Sequence, residues 1–498
     1  MRRFIPGRIA LPAIAGVVGV YVLLAPPVIG LANQNDFSRI LQPFGLTYPP
    51  QVAGQDRFWC FTDVTFAFTR PDKSDPYFSS QMLLVSAALA VHHLVSKSAW
   101  FDIRWLALVH LAGLLAVLWK LSGTIQNSAK TKSGRMAGLA FATLVVADIG
   151  YLAYFNTFYS EPIAILSGIA VVAFLFDALR QPGRANVSLL AGSAALLATS
   201  KLQYAPIGPL MGLFLIAMPF WRREWRPLRG VSMAAAVVVT AAGFYTAYAV
   251  RGWQVQGPLY ATVFTGVLLD SGDPGGDLAE LGIDPRAQAY KGSTPFEPHN
   301  AGAAGYFPGH CSTGRVLRFY LAHPVSLYRR TNRVIREVMS NRPQMLGNFQ
   351  RGYGYRCQQQ AECFSIWDSI RARFNSLPLA GGFFLVTAGV ALFFAVRYGS
   401  ANSIGYLLLA VLAGASFFVA ALGDGADYRK HMLLFHFLFD SCCGLTAIFA
   451  ADQGQRYWAG RKTQRAATPS ATAGPPASET PAATPQPATP AVRGKRRR

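Results

Sequence analysis

Charge is scarce in this chain. Of its 498 residues only 14% are Asp, Glu, Lys or Arg, where a soluble domain carries about a quarter. That deficit argues against an ordinary water-soluble enzyme. Acidic residues are the rarer sign, 24 against 46 Lys and Arg, for a formal charge of +22. The chain also has no Walker loop, no GxGxxG on a strand and no HExxH, so ATP-driven, NAD-dependent and zinc-protease chemistry lack their usual residues. Six cysteines include no CxxC pair, and nothing in their spacing suggests a metal site. Short alternating segments of the kind that build a membrane β-barrel are missing as well.

What the chain has instead is apolar length. Hydrophobic residues make up 52%, mean hydropathy is +0.27, and several runs approach or exceed the roughly 20 residues that a bilayer demands. The reading is an all-α polytopic membrane protein. Its basic residues lie beside the apolar runs and in the tail, as positive-inside topology requires, so membrane lipids rather than nucleic acid are the expected partner of that charge.

The first run, 9–31, follows Met1-Arg2-Arg3 and is longer than a signal-peptide core. It reads as a retained helix with a cytoplasmic N-terminus, kinked near Pro26-Pro27. An aromatic-rich outer loop, 32–77, follows. The apolar stretch 80–95 is short and ends in His92-His93; taken as a juxtamembrane helix, it leaves Lys120, Lys130, Lys132 and Arg135 on the cytoplasmic side. Spans then follow at 103–119, 136–155, 162–178, 187–200, 206–220 and 231–250, with 221–229 the strongest cytoplasmic loop. A large external loop, 251–377, turns helical over 313–339, and three more spans occupy 380–396, 404–421 and 432–450. The domain division is thus 1–250, 251–377, 378–451 and a disordered cytoplasmic tail, 452–498, rich in Ala, Pro and Thr. The bundle has about ten spans and both termini inside.

Cys60, Cys311, Cys357 and Cys363 all fall outside on this map, where disulfides persist. Four cysteines allow three pairings, and sequence alone does not choose. Cys357–Cys363 and Cys60–Cys311 are the expected pairs.

Ionisable groups near membrane depth are costly and therefore candidates for function. Asp36 directly follows the first span; it is either an N-cap for a turn from Phe37 or a general base, with Arg39 at i+3 as its partner. Glu161, in Tyr159-Ser160-Glu161-Pro162, suits a helix N-terminus and equally a second acid at the same mouth. Lys201 and Gln203 end a span on the outer side, against the charge rule; Lys201 either snorkels or binds phosphate. Arg429, Lys430 and His431 form a cationic run on that same side, with Arg429 and Lys430 as phosphate ligands and His431 as an orienting or merely interfacial ring. Asp427 neutralises that run.

The elements Asn35-Asp36-Phe37-Ser38-Arg39, Tyr159-Ser160-Glu161-Pro162 and Ser200-Lys201-Leu202-Gln203-Tyr204 resemble those of the GT-C fold of integral membrane glycosyltransferases, in a bacterial branch of hexose transferases. The resemblance implies a polyprenyl-phosphate-sugar donor, a glycan or lipid-linked acceptor, and a site on the external face of a bacterial inner membrane. It implies a base role for Asp36 and a supporting role for Glu161 only; the outer placement of the other groups gives donor-phosphate binding by Lys201, Arg429, Lys430 and His431 and substrate positioning by Arg39, Gln203 and Tyr159 as expectations from the residues themselves. The family's first loop often carries paired acids; here Asn35 precedes Asp36, and no metal or other cofactor is expected. Two other readings compete. One is a polymerase or ligase of lipid-linked glycan with a second pyrophosphate on Arg315, Arg318, Arg329 and Arg330. The other is a transporter or flippase using Asp148, Asp177 and Asp440.

Overall fold

A computed structural model describes residues 5–34, 36–50, 58–72, 77–250, 253–295, 311–340, 342–423, 425 and 428–467. The expected disordered tail beyond residue 467, together with Asn35 and Asp427, lies outside the described residues. The chain divides into two compact units, Met1–Asp452 and Gln453–Arg498; the fold and the site belong to the first.

The apolar runs form helices where expected: α1 Ile5–Leu23, α2 Gln81–Val95, α3 Ile103–Ser128, α4 Lys132–Val146, α5 Glu161–Arg180, α6 Arg184–Ala198, α7 Ile207–Trp221, α8 Arg229–Ala249, α10 Leu377–Tyr398, α11 Ala401–Gly423 and α12 Leu433–Ala467, with the arginine-rich α9 Pro324–Val338 in the long segment between α8 and α10. Among the described residues seven helices are long and apolar enough to cross a membrane, and α4 with Ile149–Phe155, bent by 54°, makes an eighth. α1, α2 and α6 are shorter apolar helices. The protein is an integral, multi-pass helical membrane protein.

The first span departs from expectation. Rather than kinking at Pro26-Pro27, the helix stops at Leu23. Two successive prolines cannot donate to a helix, and each disfavours α geometry in the residue before it. The freed chain becomes a strand, Ile29–Leu31, which pairs antiparallel with Leu346–Phe349 from the long interrupting segment.

Close approach of helices is set by small residues. α7 carries Gly208 and Gly212 one turn apart; a Cβ at Gly208 would lie 2.6 Å from the Val239 carbonyl of α8, and one at Gly212 would overlap Thr240. Without a hydrophobic drive between helices in lipid, such backbone contact and its dispersion energy hold neighbours together. α2 is pinned at its start: Ser80 Oγ donates to Leu196 O (2.8 Å) and Ser79 Oγ to Ser200 O (2.6 Å).

The segment between α8 and α10 has its own small core, including Val263, Phe264, Val267, Leu278, Val316 and Phe319. It contains a π-helical stretch, Thr262–Val267, and the helical expectation over 313–339 is met by two helices, Thr313–Ala322 and α9, broken at His323-Pro324. The expected disulfides are replaced by one other: Cys60 pairs with Cys357, whose Cα atoms lie 4.3 Å apart, while Cys311 and Cys363 are free. The strand pairing of Ile29–Leu31 with Leu346–Phe349 brings the first outer loop alongside residues 350–360, which selects Cys357 over Cys311.

Candidate functional site

The site assembles from the loop after α1, the start of α5, the segment after α6 and the turn before α12. Phe37 starts it. Its ring is fully buried and meets Tyr159 edge-on at 4.8 Å and Phe158 at 5.7 Å. Burying Phe37 turns the adjacent Asp36 outward from the core. The turn Ser38–Leu41 has Phe37 at its N-cap, which makes no side-chain capping bond; the Ser38 N–H donates to the Tyr48 hydroxyl (3.0 Å). Asp36 is free for cations: Arg39 Nη2 reaches Oδ1 at 3.2 Å and Lys430 Nζ reaches Oδ2 at 3.2 Å.

Lys430 is carried by a single helical turn, Tyr428–His431, just before α12. Its ammonium also donates to Gln34 Oε1 (3.2 Å) and sits 3.9 Å from the centroid of the Tyr159 ring. Beside it runs a second ion pair. Lys201, opening the turn Leu202–Tyr204, places Nζ 3.0 Å from Glu161 Oε1, and Glu161, first residue of α5, is 1% exposed. Gln203 Nε2 and His431 Nδ1 are hydrogen-bonded. Eight of the nine residues singled out from sequence thus gather in one cluster: Asp36, Arg39, Tyr159, Glu161, Lys201, Gln203, Lys430 and His431.

Arg429 does not join them. Its guanidinium is exposed and donates to the carbonyls of Glu337 (2.9 Å) and Arg342 (3.4 Å). On a single turn, successive residues point apart, so Lys430 takes the site and Arg429 faces the interrupting segment. Sequence reasoning passed over Tyr48, Gln34 and Tyr77, which holds Ser160. The aromatic richness of 32–77 was the only signal for the two tyrosines.

Burial pushes the Asp36 carboxyl up, but Lys430, Arg39 and Lys201 outweigh it, and its pKa ends below the usual aspartate range. His431 moves the same way for different reasons: burial first, then Lys201, Lys430 and Arg39 hold it well below the ordinary imidazole value, so the ring is neutral. Burial, followed by the charges of Asp36 and Glu161 against that of Lys430, raises the Tyr159 phenol, which stays protonated. Its hydroxyl is buried and has no hydrogen-bond partner among the described residues. Among those residues no group of three His, Cys, Asp or Glu side chains comes together as a metal site.

Chemically, this is an ionised carboxylate clasped by two cations, with a protonated phenol and a neutral imidazole next to it. An anion entering between Arg39 and Lys430 would compete for their bonds. The carboxylate so released becomes the stronger base, since opposite charges were what lowered its pKa.

Comparison with known proteins defines the class. Residues 2–468 match the family model described as the YfdI N-terminal transmembrane domain, a GT-C-type glycosyltransferase family. The chain belongs to that family. No curated protein sequence matches it. Among solved structures, the archaeal oligosaccharyltransferase AglB from Archaeoglobus fulgidus, in complex with an inhibitory peptide and a dolichol-phosphate, is similar in fold with a TM-score of 0.43 and 11% identity, over 93% of this chain and 52% of that one. The chain thus spans about half the length of that protein.

Proposed function

We propose that this protein transfers a hexose from a polyprenyl-phosphate-linked donor to a glycan or lipid acceptor at the external face of the membrane, with inversion at the anomeric carbon and Asp36 as general base. The observation that carries this reading is the Asp36 carboxylate shared between Arg39 and Lys430 at 3.2 Å each. The donor keeps its tail in lipid and its phosphate at the helix ends. There Lys430 and Arg39 take the phosphate oxygens and offset charge on the leaving group. Asp36, released from them, accepts the proton of the acceptor hydroxyl as that oxygen attacks. Glu161 keeps Lys201 in place at the cluster's edge. The Tyr159 hydroxyl offers a buried donor to a sugar or phosphate oxygen. The external side is supported by the Cys60–Cys357 disulfide, since such bonds persist outside reducing compartments.

The competing readings fare worse on geometry. Arg330, needed for a second pyrophosphate, is fully buried and donates to the Ala421 carbonyl (2.9 Å) and to Tyr428. The acids that a transporter would use are engaged: Asp177 with Lys120, Asp440 with Arg371 (2.6 Å), and Asp148 with the N–H groups of Gly150 and Asp368.

The test is sugar transfer in vesicles supplied with a single-sugar lipid phosphate. Asp36→Asn should cut turnover by about 10²–10⁴-fold, the usual weight of a general base, with unchanged membrane abundance. Retained turnover would remove Asp36 from the base role.

A further inference from the structure

Lys430 reaches the cluster from a turn that the interrupting segment grips on its other side. Tyr428 begins that turn. Its ring lies 4.6 Å from the Arg330 guanidinium of α9, and its hydroxyl accepts from Arg330 and donates to Thr265 O at 3.4 Å. Arg330 is fully buried and is itself fixed, by Nε to Ala421 O (2.9 Å) and Nη1 to Thr265 O (3.5 Å). Arg429 adds the bond to Glu337 O at the far end of α9. Ahead of the turn, Gly425 lies so close to the π-helical region that a Cβ there would overlap the Ala261 carbonyl. Tyr428 and Arg429 therefore bind the segment, while Lys430 and His431 bind the site.

We propose that Arg330 is a positioning residue for Lys430: acting through Tyr428, it fixes the turn that holds the Lys430 ammonium against Asp36. The same linkage makes α9 the part of the interrupting segment whose displacement is felt at the donor site. A shift of about 1 Å in that turn suffices to matter, since misplacement of that size costs catalysis heavily. The burial of Arg330 is otherwise expensive, as a desolvated guanidinium needs strong partners, and these carbonyls and one phenol supply them.

This inference rests on the proposed transferase reading for its kinetic arm, and a second arm does not. In the full-length protein in lipid, Arg330→Met should lower turnover about tenfold or more, and Tyr428→Phe, a milder change that keeps the ring, should lower it in the same direction. Arg336→Met, an exposed change on the same helix, should leave it unaltered. Adding Arg330→Met to Lys430→Met should cost nothing further. The acid limb of kcat/KM should move up in Arg330→Met and Tyr428→Phe, because Asp36 loses the cation that lowers its pKa most, Lys430. A role confined to stability would leave that limb in place.

The second arm is thermal melting of Arg330→Met, Asp36→Asn and the double variant, with Tyr428→Phe in place of Arg330→Met if that variant does not fold. If Arg330 holds Lys430 on Asp36, the double shift is smaller than the sum of the singles. Additive shifts, or an unmoved acid limb in an active Tyr428→Phe, overturn the positioning role. If the wild type transfers no sugar, the transferase reading falls and the melting cycle still decides the positioning.

Discussion

Asp36 is clasped by Arg39 and Lys430, and the proposed mechanism asks it to act as a base. Its two cations keep it ionised, so its contribution to stability is present above the ordinary carboxylate range and lost as pH falls through its lowered pKa. The same cations make it a weak base until something takes them away. The acid limb of kcat/KM, which reports the free enzyme, is therefore expected below the usual aspartate range in the wild type. Lys430→Met should raise it, because Lys430 is the strongest of the groups opposing burial. His431 is held neutral by burial and its cationic neighbours, so no inflection from it is expected between about pH 6 and 8. A pH–rate profile on both proteins checks these expectations together. At this scale much was legible in advance: charges on the wrong side of a topology map stand out, and eight of nine chosen residues share one cluster. Arg429 lies apart from that cluster, because a helix points sequence neighbours on one turn away from each other.

At the scale of elements, packing rather than propensity sets the bundle. α7 and α8 meet through Gly208, Gly212 and Gly243, and a Cβ at Gly243 would overlap the Ala205 carbonyl. Gly212→Leu should force the pair apart and lower the melting temperature, at a cost of about 1–3 kcal/mol for overpacking; thermal unfolding in nanodiscs measures it. The helices themselves were visible as apolar runs, because hydropathy is a property of each stretch alone. Their ends were less so. α1 stops at Leu23 before Pro26-Pro27, and the strand that follows, Ile29–Leu31, is fixed by a partner, Leu346–Phe349, over three hundred residues away.

At the scale of the molecule, the first outer loop and the interrupting segment are tied twice, by that strand pair and by Cys60–Cys357, whose cysteines are 297 residues apart. Cys357→Ala should cost about 2–4 kcal/mol, chiefly by freeing the unfolded chain, and should appear as a lower melting temperature that reductant reproduces in the wild type. Cys311→Ala and Cys363→Ala, at free thiols, should not respond to reductant differently from the wild type. Buried polar links hold the bundle further along. Arg371 joins Asp440 at 2.6 Å and Asp368 at 2.9 Å in a nearly solvent-free place.

The sequence by itself determined the membrane setting, the position of the helices and the short list of residues able to do chemistry, because composition and period are local and need no partner. Only the tertiary structure decided which cation meets Asp36, which cysteine meets Cys60, and that Arg330 bonds Tyr428 while Arg429 bonds the Glu337 carbonyl. Those are matters of distance between segments hundreds of residues apart, and the chain's order along the sequence carries no such distance.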